Sequence, residues 1–463
     1  MNENDKILEG ILLAKEKRSL IKESIKNEGY VSLSFSLNIP GYPKTSNDIT
    51  AFFDSVLVQL KIFLSANRIE IANEYNQTDD AGNIFISSIK SSFLSIQNIK
   101  QLCETFEERH ELGRLIDIDV TDNDGKYISS GKNKLCFYCG SYSALDCMHS
   151  KRHDYSDVRN FIFEKIKNYL IVQQKEKVCN TLASYASRAI LYEISLTPKP
   201  GLVDFNNSGK HTDMDYYTFL DSSSVISPYF YKIAERGFLF DKHLSSALAS
   251  IREIGLTMEK EMFEVTKGIN TQKGIIFLMG VAVFASARLI SEKKTFDLTE
   301  FSSIAKNIGE NLLSEFDEKT SEKTHGRICV QKYGKQIAGG ARYEVAEGFN
   351  TTIKYGLQML NDSELEKISA TEKQKILFKS LLLLIGNNND TNVIFRSNTA
   401  ILEELKLLAM KTFNSKSEDE QKNNYKILEN FCLEKNISPG GSADLLAVAV
   451  FLYLVKNKYS YDR

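Results

Sequence analysis

The chain has 463 residues, with 58 basic against 60 acidic side chains, a net charge of −2 and 42% hydrophobic residues. That length exceeds one hydrophobic core and predicts two or three domains. The balanced charge excludes general attraction to nucleic acid or an anionic membrane, so any phosphate binding has to be local. The start, MNENDKILEG, lacks the basic-then-apolar order of a signal peptide, and the longest apolar run, Leu445 to Val455, is too short to span a bilayer; together these predict a cytoplasmic protein.

From Tyr30 to Ile39 the sequence alternates, with Val31, Leu33, Phe35 and Leu37 on one face and Ser32, Ser34 and Ser36 on the other, which predicts a half-buried strand. The loop that follows, NIPGYPKTSN, offers Lys44 to a phosphate or is simply a Pro-Gly turn. Apolar residues at three- and four-residue spacing predict helices from Ile49 and over Phe93 to Glu108, and NIFISSI from Asn83 reads as a strand. RLIDIDV follows, beginning at Arg114 and leading into DNDG at Asp122 to Gly125, a turn composition that implies a hairpin. Asp117 and Asp119 lie two residues apart on this strand and project from one face, a geometry able to hold one Mg²⁺ for nucleotidyl transfer or to form a solvated acidic face. Cys136, Cys139, Cys147 and His153 have the spacing of a four-ligand structural zinc site; the alternative is packed thiols with the histidine contacting phosphate or an acidic partner.

The polar run QQKEK after Val172 interrupts a helical pattern without a Pro, Gly or Ser-rich linker, so the boundary near residue 175 is expected to be a helix or a tight junction. Beyond it helical patterns cover Ile275 to Ser291, Phe301 to Phe316, Thr371 to Ile385, Thr399 to Phe413 and Asp444 to Lys456. The expectation is a multidomain chain: an α+β, nucleotidyltransferase-like domain over residues 1–175 and an all-α domain over 176–463. Polar loops between these helices carry the chemistry. TPKPGLVDFNNSGKHTDMD supplies Lys199, Asp204, Lys210, Asp213 and Asp215, the last two of which are candidates for metal or base work or for capping a helix that starts near Tyr216. GINTQKG places Asn270, Thr271 and Lys273 before a helix, as an anion site or a cap. GGARYEVAEGF brings Arg342 and Glu344 together, NNNDTNVIFR brings Asp390, Asn392 and Arg396, and SPGGSADLLA sets Gly440, Gly441 and Ser442 at another helix start.

Taken in order, TPKPGLVD, NSG-H-DMD, G-NT-KG-IF, GAR-E---GF, DTN---R and SPGGSADLLA resemble triphosphoribosyl-dephospho-CoA synthase over residues 178–456. The resemblance implies transfer of the triphosphoribosyl group of ATP to the 2′-hydroxyl of 3′-dephospho-CoA with release of adenine. Where the family pattern has a histidine, this chain has Gln272. Residues 30–158 are similar to the citrate lyase holo-acyl-carrier-protein synthase through VS-----IPG--K-S, LGRL-DIDV and C--C-------C-----H, implying attack by a serine of the apo carrier protein on the α-phosphate with release of diphosphate. A basic residue is expected after the hairpin's second strand; Ser129, Ser130 and Gly131 precede Lys132 there.

Cleaving a bond at the ribose carbon develops oxocarbenium character, which needs carboxylates, a hydrogen-bonded or protonated leaving base and a base for the incoming hydroxyl. Asp204, Asp213, Asp215 and Glu344 are the available acids, and Mg²⁺ with Lys199, Lys210, Lys273, Arg342 or Arg396 suits a retained triphosphate. Lys44 and Arg114 are the phosphate candidates of the first half. Two other functions use similar groups: a metal-dependent N-ribosyl or ADP-ribose hydrolase, in which water attacks, and a carrier-protein assembly factor that binds without turnover.

Overall fold

The computed structural model describes residues 3–25, 30–122, 124–129, 131, 134–316, 325–361 and 363–460. Asn123 of the expected turn, and Ser130 and Lys132, lie outside them. The chain divides into two compact units, Met1–Gln174 and Lys175–Arg463.

The first unit contains helices α1 (Glu3–Ser24), α2 (Asn47–Ala66), α3 (Ile96–Arg109) and α4 (Ala144–His149), and strands β1 (Val31–Leu37), β2 (Glu70–Asp79), β3 (Gly82–Lys90) and β4 (Ile116–Thr121). The sheet is antiparallel in the order β2-β3-β1-β4. One face of β1 buries Leu33 and Phe35 against α2, with Phe35 stacked on Phe53 at 4.6 Å between ring centres. The other face is not solvated as the alternation suggests, because Ser32 and Ser34 are buried. β1 is an interior strand, and on this side Ser88 of its neighbour β3 donates to the carbonyl of Ile25, just after α1. β2 escapes the sequence pattern because it is a polar edge strand with a bulge between Ile71 and Glu74. The turn after β4 returns only as an isolated bridge between Thr121 and Tyr127.

A single helix, α5, runs Tyr155–Ser195 through the division, so the polar QQKEK stretch does not break it. Ile162, Ile166 and Tyr169 on its first half join the core of the first unit, while Val178, Leu182 and Ile190 join that of the second. Among the described residues every named element of the second unit is helical: α6 (Tyr216–Ile226), α7 (Tyr229–Phe238), α8 (Ala247–Val265), α9 (Lys273–Lys293), α10 (Leu298–Gly309), α11 (His325–Tyr333), α12 (Lys335–Ala338), α13 (Gly340–Ala346), a π-helical stretch (Thr352–Leu357), α14 (Gln358–Asn361), α15 (Ala370–Asn387), α16 (Thr391–Arg396), α17 (Thr399–Phe413), α18 (Glu418–Glu434) and α19 (Gly440–Tyr459), with short 3₁₀ turns between some of them. The expected Phe301–Phe316 helix stops at Gly309, where the backbone packs so closely on Ala346 that a Cβ would lie 2.9 Å from its Cα.

The apolar run from Leu445 lies inside the 20-residue α19, which with α2 and α9 is long and apolar enough by composition to cross a membrane. For α9 and α19 the reason is burial: both are enclosed on nearly all sides in the core of their unit.

Candidate active sites in the two units

In the second unit the starts of α9 and α19 meet at a cavity of about 200 Å³. Neither N-cap residue, Gln272 or Pro439, makes a side-chain cap hydrogen bond; Asn270 takes the amide of Lys273 and Asp390 that of Ser442, while the amides of Gly274, Ile275 and Gly440 donate to no described residue and remain available to an anion. Lys273 N takes Asn270 Oδ1 as acceptor (3.2 Å), and Thr271 Oγ1 is buried without a partner among the described residues. Glu193 from α5, Lys199, His211, Asp444 and, from α16, Asn392 and Arg396 supply the other polar walls. Lys199 Nζ donates to Glu193 Oε1 (2.7 Å) and to Glu193 O (3.0 Å), forming a buried ion pair. His211 Nδ1 lies 3.7 Å from Asp213 Oδ1, and burial pulls the imidazole below its ordinary pKa against the opposing pull of that aspartate. Asp444 is pushed well above the carboxylate range by burial, then by Glu193 and Asp390.

In the first unit Asp117 and Asp119 share the face of β4 opposite its apolar residues Ile116, Ile118 and Val120, paired in register with Ser36 and Ser34 of β1. Burial raises the pKa of Asp119, Asp117 adds to the rise, and Lys100, Lys22 and Lys134 oppose it. Lys134 Nζ lies 2.8 Å from Glu107 Oε2 and 3.8 Å from Asp117 Oδ1, so a cation reaches the pair from outside the motif. Glu107 in turn accepts from Ile118 N (2.8 Å), which ties α3 to this strand.

Cys136, Cys139, Cys147 and His153 place their ligand atoms all within 4.8 Å of one another. Cys139 and Cys147 sulfurs are 3.7 Å apart, close to the ~3.8 Å edge of a tetrahedron with Zn–S bonds of about 2.3 Å. Among the described residues His153 Nε2 is buried with no hydrogen-bond partner, and backbone hydrogen bonds from Ser141 and Tyr142, with the His153 ring after them, hold the Cys139 thiol below its ordinary pKa. The residues fit a tetrahedral ion.

A family model described as CitG, ATP:dephospho-CoA triphosphoribosyl transferase, matches residues 179–463, and one described as CitX, apo-citrate lyase phosphoribosyl-dephospho-CoA transferase, matches residues 6–169. The chain belongs to the fused CitX–CitG family. A protein named CitXG from Leuconostoc mesenteroides subsp. cremoris is 30% identical over 446 residues, covering 91% of each chain. A second CitXG, from Haemophilus influenzae, is 30% identical and covers 96% of this chain and 95% of its own. The 2-(5''-triphosphoribosyl)-3'-dephosphocoenzyme-A synthase of Haemophilus ducreyi is 32% identical, covering 67% of this chain and 97% of its own. The chain is therefore a bifunctional transferase, with a triphosphoribosyl-dephospho-CoA synthase half and a phosphoribosyl-dephospho-CoA transferase half, in preference to a hydrolase or a non-catalytic assembly factor.

In the CitG half, Lys199, Asn270, Thr271, Lys273, Asn392, Arg396 and Gly440 line the cavity. The remaining sequence candidates do not line it, and most have structural work instead. Asp215 is the N-cap of α6, its carboxylate accepting from Thr218 N (2.9 Å) and Thr218 Oγ1 (2.8 Å) in a capping box, so the metal expectation for it gives way to the cap. Asp204 braces its loop by accepting from the backbone amides of Lys199, Asn206 and Asn207. Buried Glu344 accepts from Thr352 N and Oγ1, both at 2.8 Å, and Arg342 lies over the ring of Phe316. Asp390 accepts from Asn392 N and from Ser442 N and Oγ, joining α16 to α19, and Gly441 leaves room for that carboxylate, which a Cβ would approach to 3.1 Å. Lys210 is half-buried beside the cavity's His211 in sequence, and Asp213 meets the cavity only through His211. Gln272, where the family pattern has histidine, is buried and locked to Ser222 and Ser223.

In the CitX half, Lys44 Nζ folds back to Ile39 O (2.6 Å) and the Arg114 guanidinium donates to Leu135 O, so both brace loops. Glu193, His211 and Asp444 were missed as site residues. The histidine stood in a quoted motif, whereas Glu193 looks like one more polar residue on a long helix and Asp444 like a first-turn cap.

Proposed function

We propose a division of labour in which each half uses one cluster of groups. In the CitG half the triphosphate of ATP is held by the amides of Gly274 and Ile275 at the start of α9 and of Gly440 at the start of α19, with Arg396 and Lys273 as counter-charges. Lys273 is exposed and paired with Glu259 (2.8 Å), a surface pair cheap enough to exchange for phosphate. Mg²⁺ enters on the phosphates, where it neutralises charge that the protein's cations leave uncovered. His211, steered by Asp213, takes the proton of the 2′-hydroxyl of 3′-dephospho-CoA as that oxygen attacks the ribose carbon. Its lowered pKa keeps the imidazole neutral at physiological pH, the form a base requires.

In the CitX half, nucleotidyltransferase-like in its use of strand carboxylates, Asp117 and Asp119 hold Mg²⁺ together with phosphate oxygens of the CitG product, and Lys134 and Lys100 add positive charge around them. The nucleophile is a serine of the apo carrier protein of citrate lyase, and diphosphate leaves. Cys136, Cys139, Cys147 and His153 hold a structural Zn²⁺ that fastens the segment between β4 and α5. Both reactions run in the cytoplasm on an all-α and an α+β domain joined in one chain.

The observation that carries the synthase reading is the convergence of two helix starts, with the amides of Gly274, Ile275 and Gly440 left open, on a cavity that also contains His211. Incubating the full chain with ATP and Mg²⁺ tests it: adenine release is expected only when 3′-dephospho-CoA is added, and added apo carrier protein should then gain the phosphoribosyl-dephospho-CoA mass. Adenine release at one rate with and without 3′-dephospho-CoA overturns the proposal.

A further inference from the structure

One carboxylate in the CitG cavity has no work in the scheme above. Asp444, in the second turn of α19, lines the cavity and receives no hydrogen bond from any described residue. Its carboxyl rests against the first turn of α9: Oδ2 lies 2.1 Å from where a Cβ on Gly274 would sit. Asp444 is partly exposed through the cavity, so its carboxyl is open to a ligand placed there.

We propose that Asp444 both reads the adenine of ATP and donates the proton that lets it leave. The inference rests on the synthase reading of this cavity. A protonated carboxyl presents one O–H donor beside one carbonyl acceptor, the pattern with which Asn and Gln pair to the N6 and N7 edge of adenine. The carbonyl accepts from the N6 amino group and the O–H points at N7. As the ribose C1′–N9 bond breaks, its electron pair enters the purine, the Asp444 proton moves to N7, and neutral adenine departs from an Asp444 carboxylate. The new bond forms between C1′ and the 2′-oxygen of 3′-dephospho-CoA, whose proton passes to His211; the proton count balances when both groups exchange with water.

The surroundings suit a proton donor. Glu193 and Asp390 face Asp444 electrostatically, and Lys199, whose ammonium is spent on Glu193, does not offset them. The other charged or titratable walls are His211, Lys273 and Arg396. A guanine base carries an acceptor at position 6 in place of the amino group, so GTP loses one of the two bonds and places two acceptors against one donor.

The test uses Asp444→Asn in the full chain with two substrates: ATP, and nicotinamide riboside 5′-triphosphate, whose cationic base leaves neutral without a proton. Asparagine keeps the two-point pairing but cannot transfer the proton. With ATP, kcat should fall by roughly 10²–10⁴-fold while KM stays within about threefold; with the nicotinamide substrate kcat should stay within about tenfold of wild type. The wild-type profile with ATP should fall at alkaline pH, and the nicotinamide profile should not, a readout independent of how the variant folds. Equal losses on both substrates, retention of more than about a tenth of kcat with ATP, or matching alkaline limbs overturns the assignment of Asp444. Failure of wild-type protein to release adenine from ATP with 3′-dephospho-CoA overturns the synthase reading itself.

Discussion

Replacing Lys199 by methionine removes a donor that holds Glu193 at 2.7 Å inside the second unit, where the two side chains are 4% and 11% exposed. At an effective dielectric near 20, a unit charge pair at that distance is worth about 6 kcal/mol of Coulomb attraction, much of it offset by the desolvation of both ions. Removing one partner leaves the other charge buried and unpaired, for which a net loss of about 3–5 kcal/mol is expected. In the unit Lys175–Arg463 that corresponds to a melting temperature lower by roughly 5–8 °C. Calorimetry of the full chain should show the loss in Lys199→Met and its recovery for the most part in Lys199→Met/Glu193→Leu, because the double variant buries no lone charge. A shift under about 2 °C in the single variant, or a double variant no better than the single, refutes the claim that this pair braces the cavity wall.

Asp119→Asn should abolish loading of the apo carrier protein while adenine release continues at the wild-type rate; equal loss of both activities removes Asp119 from the CitX site. Elemental analysis should find about one zinc per chain, lost in Cys136→Ser together with thermal stability of the first unit; zinc-free protein with an unchanged melting profile leaves packed thiols. Burial lowers the pKa of His211, so its base form persists below the ordinary histidine value, and adenine release should fall with acidification only as pH drops through that lowered pKa. His211→Asn should be slow at every pH and lose that acidic limb; an unaltered limb in the variant assigns the base elsewhere.

Much of this protein is determined locally and was therefore open to reading from the chain. Alternation over Val31–Leu37 and the spacing of apolar residues in α2, α9, α15 and α17 follow from side-chain period, and the polar loops between apolar helices supply residues that line the cavity of the second unit. The C-x2-C spacing with a later cysteine and histidine was equally legible, and the fold brings those four residues within ligand distance. β2 was not, because a polar edge strand takes its identity from the neighbour it pairs with. Nor does spacing distinguish a carboxylate that acts on a ligand from one that holds a loop. Asp204, Asp215, Glu344 and Asp390 all sit in chemistry-rich motifs, yet each is satisfied by donors: Asp204 and Asp215 by residues within five positions, Glu344 by Thr352, and Asp390 by Ser442, 52 positions away, a contact that only tertiary packing makes. Asp444 has the same local appearance as those four. It is set apart by long-range packing alone: its carboxyl lies against Gly274, 170 residues away in sequence, on the cavity wall, where no described residue hydrogen-bonds to it.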